Sequence, residues 1–322
     1  MKLKSITFYI LLIIFILFLC EIFLMNTYKL GKPLKYYISP DFGYALRENQ
    51  TQTRDKKNYI SINNLGMRNK LNLLNENNKK IILFFGDSVV YGGSYIDDNE
   101  IFSAKVCENL NLKKNNQFFC GNYGVNAYGI ININERILSI ENKIKNDYSI
   151  VIITSGNIRR GKTSISGQPF FSKEIQPPFR ALKELFFFYV DRIRLKFRYS
   201  MNNKGPDEEY DKYYYQNING VINKNIQKFY KTEIERLFEN LEKKDKNYLV
   251  IYLASKSEYL QNKKFYQKEI LIDIAKKKSY NLLVIDEYID ENKIFYDNIH
   301  LTKFGHEYIS KIILNEISDK LH

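Results

Sequence analysis

Ser88, Asp297 and His300 carry the side chain types from which nucleophilic catalysis is built, and their surroundings in the sequence suit it. Ser88 ends the stretch KKIILFFGDS, in which five consecutive apolar residues stop at Gly86-Asp87-Ser88. A run of that length between lysines and a glycine is the pattern of a strand buried on both faces. It delivers a hydroxyl to the carboxyl end of the strand, where open parallel sheets bind ligands, and Gly86 lets the chain turn sharply beneath it. Asp297 and His300 stand three apart in FYDNIHLTKFGHEYIS. At that spacing one carboxylate can hold an imidazole while the other ring nitrogen faces a nucleophile. Each motif alone also has a plainer reading. Gly-Asp-Ser serves as a polar turn after a strand, and Asp297 as a loop residue capping the next turn beside a solvated histidine. His306 begins a helix with no acid three residues before it, and reads as a surface or packing residue.

Composition narrows the chemistry. The only histidines are His300, His306 and His322, so a histidine-rich metal site is not expected, and no metal or other cofactor is anticipated. Cys20 lies in the apolar N-terminal segment; Cys107 and Cys120 have no C-x-x-C spacing and read equally as a disulfide or as two buried thiols. The net charge of +13 comes from Lys and Arg scattered along all 322 residues. Nothing in that distribution forms a nucleic-acid arm; biased residue usage accounts for it, with anionic headgroups or glycans as the other reading.

The elements that must place these residues begin with ITFYILLIIFILFLCEIFLM, residues 6–25, whose one charge is Glu21. At ~1.5 Å per residue such a helix is about 30 Å long, enough to span a bilayer core. With no small-residue cleavage site after it, it reads as an uncleaved signal anchor behind a short tail, residues 1–5. Residues 26–79 follow as a polar lead-in with one or two short strands. From residue 80 onward apolar strands alternate with helices. Strands are expected at 80–85, 117–122, 148–155, 248–254 and 282–286, and helices at 99–110, 130–145, up to about 244, at 258–279 and from 302. Asp97-Asp98-Asn99 reads as the cap of the first of these helices. The rhythm implies a three-layer α/β/α domain, residues 80–322, around a mostly parallel five-stranded sheet. An insertion at about 159–219 interrupts it. Basic residues alternate with aromatics in its piece FRALKELFFFYVDRIRLKFRYS, which could form a lid or lie on a membrane; its run 186–189 is expected to pack in a core. A Tyr-rich acidic segment follows at 207–215.

Gly86-Asp87-Ser88, the loop NYGVNAYG, Gly156-Asn157 and Asp297-x-x-His300, in this order and each at the end of an expected strand, resemble the SGNH (GDSL-type) hydrolases. The resemblance covers about residues 80–322 and implies a flavodoxin-like fold. It implies that Ser88 is the nucleophile, His300 the general base and Asp297 the group that orients His300. The oxyanion hole would be the backbone N–H of Ser88, a backbone N–H from the second block and the Asn157 amide. Counting from Asn122, the second-block position is Ala127, with Gly124 as the alternative; the usual Asn-Asp pair of the third block is Asn157-Ile158 here. On this reading Asn157→Ala lowers turnover about 10²–10³-fold and leaves the fold intact. The activity implied is a serine esterase removing a small acyl group, acetyl first, from a cell-envelope glycan. The location follows from the anchor: a single-pass protein of the inner (cytoplasmic) membrane, its domain facing the periplasm or exterior, acting on an acylated carbohydrate or lipid. An O-acyltransferase fed by a membrane-bound acyl-donor partner is the alternative, and a non-catalytic module of the same fold a third reading.

Overall fold

The computed structural model describes residues 2–54, 58–73, 79–141, 143–165, 177–187, 189–190, 193, 224–244, 247–261 and 265–321. The chain opens with one helix, α1 (Lys2–Thr27), of which Ile6–Thr27 is long and apolar enough to cross a membrane. Its large apolar side chains are exposed, while its single acid, Glu21, is buried. Among the described residues the lead-in holds four strands rather than one or two. β1 (Tyr36–Ser39) pairs antiparallel with β2 (Gly43–Leu46), and β3 (Gln50–Arg54) with β4 (Asn58–Ile62). Tyr44 and Met67 of this region enter the main core, so it packs on the sheet domain instead of trailing from it.

The sheet consists of β5 (Lys80–Phe85), β6 (Phe118–Asn122), β7 (Tyr148–Ile153), β8 (Tyr248–Leu253) and β9 (Leu282–Ile285). All neighbours pair parallel, in the order β6-β5-β7-β8-β9. Every residue of β6, β7 and β8 is buried, as both-face coverage requires. The order also sets the layers. Between β5 and β6 the chain moves one way across the sheet, and from β6 through β7 and β8 to β9 it moves the other way. Right-handed crossovers therefore put α3 (Phe102–Lys113) on one face, and α4 (Ile130–Glu141), α6 (Lys224–Lys244) and α8 (Tyr266–Lys278) on the other. The C-terminal helix α10 (Lys303–Ile317) packs beside α3, and α5 (Ser155–Arg160) beside α4, α6 and α8. The switch in direction falls between β5 and β7, and in such sheets the crevice at the carboxyl ends of those strands is where ligands bind.

Several local expectations change. The helix expected at 258–279 is two pieces, α7 (Lys256–Gln261) and α8, and α4 stops at Glu141. α3 begins only at Phe102, so the residue preceding it is Ile101, without a side-chain cap, and Asp98 is engaged elsewhere. It accepts from the Ser61 N–H at 2.7 Å and from Arg68 Nε at 2.8 Å. Residues 180–187, 189–190 and 193 of the insertion are helical, but Phe186 and Tyr189 are exposed rather than in a core. The acidic segment 207–215 lies outside the described residues. Cys107 and Cys120 are free thiols.

Candidate active site

The turn after β5 is shaped for close approach. A Cβ on Gly86 would meet Val90 Cγ2 at 2.4 Å and the Ile152 carbonyl oxygen at 2.7 Å, so only glycine lets β5 run so near β7. Asp87 caps the short helix α2 (Ser88–Tyr91), its Oδ1 accepting from the Val89 N–H at 3.0 Å. Ser88 is thus the first residue of a turn whose backbone is held by a buried carboxylate. Arg68, with no exposed side-chain surface, holds the loop beyond it. Its guanidinium donates to the carbonyls of Tyr91 at 2.8 Å, Gly93 at 2.6 Å and Ile96 at 2.5 Å as well as to Asp98.

His300 arrives from the other end of the chain. After β9 and the short helix α9 (Glu291–Ile294), Phe295 and Leu301 form an antiparallel bridge, and the Tyr296 N–H donates to the His300 carbonyl at 2.8 Å. Asp297 closes this loop from inside: its Oδ1 accepts from the N–H groups of Ile299 at 2.9 Å and His300 at 2.8 Å. Its Oδ2 lies 2.7 Å from His300 Nδ1, and His300 Nε2 lies 2.8 Å from Ser88 Oγ. The capping role and the imidazole-holding role of Asp297 are therefore both filled, one by each oxygen. The sequence separation spanned by the Ser88–His300 contact is 212 residues.

Electrostatics fit the order of contacts. Burial raises the Asp297 carboxyl, but the hydrogen bonds from the His300 ring and from two backbone N–H groups outweigh it and hold the group down to about 2. Burial lowers the His300 ring; the bonded Asp297 carboxylate, with Asp87 nearby, outweighs that and leaves it above the usual histidine value despite Arg160. An ionised Asp297 accepts from Nδ1–H, so the neutral ring presents an Nε2 lone pair to the Ser88 hydroxyl. His306 is elsewhere and inert. It is buried, its Nδ1 accepts from the Phe102 N–H at 3.2 Å, and burial followed by Arg68 holds it down to about 3.

The second-block alternatives separate. The Gly124 N–H is engaged by Asn122 Oδ1 at 2.9 Å. Ala127, by contrast, sits at φ +61°, in the left-handed region that favours glycine, and its N–H donates to nothing among the described residues. Asn157 is placed differently from its expected donor role. It is fully buried, and both Nδ2 hydrogens are engaged, by Asp87 Oδ2 at 2.8 Å and the Tyr128 carbonyl at 2.8 Å. Its Oδ1 accepts from the Thr154 N–H at 2.7 Å and from Thr154 Oγ1 at 2.9 Å. As placed, Asn157 braces Asp87 from α5 and offers no free N–H beside Ser88. Arg160, one helical turn on, donates to the same Asp87 Oδ2 at 2.6 Å. Sequence reasoning missed Arg68, Arg160 and the bracing of Asp87; the i, i+3 spacing of Asn157 and Arg160 was the one signal available.

No protein-family model and no curated protein matches the chain. Among solved structures it is similar to the psychrotrophic esterase EstA from Pseudoalteromonas sp., at 10% identity over 76% of this chain and 99% of that one, with a TM-score of 0.44. It is similar to an acetyl xylan esterase at 14% identity over 74% of this chain and 99% of that one, TM-score 0.43. A member of the lipolytic protein G-D-S-L family from Veillonella parvula aligns at 11% identity over 74% of this chain and 97% of that one, TM-score 0.41. Likeness at that level carries no activity across.

Proposed function

We propose that the protein is a membrane-anchored serine esterase that removes a small acyl group, acetyl first, from a cell-envelope glycan. The observation that carries this reading is the unbroken line from Ser88 Oγ through both nitrogens of His300 to Asp297, with spacings of 2.8 and 2.7 Å. In the mechanism that follows, Ser88 Oγ attacks the ester carbonyl as His300 Nε2 takes its proton. Asp297 stays ionised and stabilises the imidazolium. The tetrahedral oxyanion is held by the backbone N–H groups of Ser88 and Ala127, while Asp87, Asn157 and Arg160 keep the Ser88 turn in place. His300 then protonates the leaving alcohol, and the same base activates the water that releases the acyl group. The envelope glycan is inferred from α1: a domain tied to the membrane by that helix and facing the periplasm or exterior meets acylated polymers there.

The test is labelling of the full-length protein in detergent by a fluorophosphonate, together with turnover of p-nitrophenyl acetate, butyrate and octanoate. Labelling and short-chain turnover are expected in the wild type and absent in Ser88→Ala; His300→Ala loses turnover. A folded protein that is neither labelled nor active overturns the reading. Labelling with transfer to a sugar acceptor in place of hydrolysis shifts it to an O-acyltransferase.

A further inference from the structure

A carboxylate inside an apolar span is costly unless it is partnered, and the partner of Glu21 comes from 160 residues away. Glu21 Oε1 accepts from the Ala181 N–H at 2.9 Å and Oε2 from the Leu182 N–H at 2.9 Å. These are first-turn donors of the helical residues 180–187, which have no partner within their own helix. Each side thus satisfies groups that the other would otherwise leave bare. The joint is reinforced one turn on, where Glu184 Oε2 accepts from the Gly31 N–H at 2.6 Å, and Ala181 is fully buried against it. Gly31 packs so closely there that a Cβ would lie 3.3 Å from Ala181 N.

We propose that the helical residues 180–187, 189–190 and 193 form a second membrane contact, lying in the plane of an anionic bilayer surface and locked to the anchor by Glu21. The proposal rests on α1 being a membrane anchor. Glu21 stands six residues before the end of the Ile6–Thr27 span, which is about 9 Å along the axis at ~1.5 Å per residue. In-plane amphipathic helices bury their apolar face about 5–10 Å into the boundary between headgroups and acyl chains, so the joint lies at the depth such a helix occupies. The face that would meet lipid is present. Phe186, Tyr189 and Ile193, spaced by three and four, are 63%, 56% and 53% exposed. The piece from 179 to 200 also carries six basic residues, Arg180, Lys183, Arg192, Arg194, Lys196 and Arg198, against Glu184 and Asp191, a balance that suits anionic headgroups. Lipid is the occupant that the Glu21 joint selects. A helix fixed to the anchor at that depth cannot turn its apolar face to bulk water without breaking the joint.

The chain has no tryptophan, so a single introduced indole reports on its own site. Full-length Phe186→Trp and Ile193→Trp variants are placed in phosphatidylcholine–phosphatidylglycerol vesicles containing lipids brominated near the carbonyl end or near the terminal methyl of the chain. Ile13→Trp in the anchor and Leu112→Trp at the end of α3 serve as references. The expected result is blue-shifted emission from positions 186 and 193, quenched most by bromine near the carbonyl end. Ile13→Trp is quenched most by bromine near the terminal methyl, and Leu112→Trp by neither. Quenching at 13 without quenching at 186 and 193 overturns the proposal and leaves the anchor standing, with a lid or a second copy of the chain covering that face. No quenching at 13 removes the anchor reading itself. Adding Glu21→Ala to Phe186→Trp is expected to weaken the quenching at 186; unchanged quenching removes Glu21 from the joint.

Discussion

Asn157→Ala separates two accounts of the same residue. In the oxyanion account the amide is a donor to the reacting carbonyl, and its loss lowers turnover about 10²–10³-fold while stability stays unchanged. The structure instead gives the amide four hydrogen bonds inside a fully buried site, two donated to Asp87 and Tyr128 and two accepted from Thr154. Removing it leaves the Tyr128 carbonyl and the Thr154 N–H short of partners and strips one donor from a buried carboxylate. Neutral bonds contribute about 0.5–1.5 kcal/mol each and a bond to a charged group about 1.5–3, so the loss is on the order of 3–5 kcal/mol. At about 2–4 °C per kcal/mol for a domain of this size, the Tm falls by about 6 °C or more. The assay is thermal unfolding of wild type and variant in the same detergent, followed by circular dichroism, beside turnover of p-nitrophenyl acetate at a temperature where both are folded. A Tm within a degree or so of wild type, together with crippled turnover, would refute the bracing account and restore Asn157 as an oxyanion donor.

Because the Asp297 carboxylate holds the His300 ring above its ordinary value, and the base must be neutral to accept the Ser88 proton, kcat/KM should rise with pH through a midpoint above about 6.5. Asp297→Asn should move that midpoint down while lowering the plateau; a midpoint that stays put in the variant refutes the coupling. Arg68→Met leaves Asp98 buried without its counter-charge, for a loss of about 3–5 kcal/mol in urea unfolding. Burial already raises Asp98 against the pull of Arg68, and without Arg68 it rises further, so the variant should be more stable near pH 4 than at pH 7 relative to wild type. A pH-independent difference between the two proteins argues against that origin. Ala127→Gly relieves a left-handed alanine, worth about 1 kcal/mol, and keeps the backbone N–H, so the variant should be as active as wild type and no less stable. Loss of activity there would mean that the methyl group itself positions the acyl group.

The five strands of the sheet, the apolar helix at the N-terminus and the places of Ser88, Asp297 and His300 at strand or loop ends were legible in the sequence. Each is written in local pattern: unbroken apolar runs for strands covered on both faces, a twenty-residue apolar run for a span, three-residue spacing for an acid and an imidazole. The tertiary structure alone decided that β5 lies between β6 and β7, and that residue 300 meets residue 88. It alone committed both amide hydrogens of Asn157, gave Arg68 the loop after Ser88 to hold, engaged Asp98 away from α3, and left Phe186 and Tyr189 uncovered. The reason is common to all of these. A buried polar group takes the partner that packing brings to it, and an aromatic run is core or surface according to what lies opposite. Both are settled by residues far away in the chain, beyond the reach of periodicity and spacing.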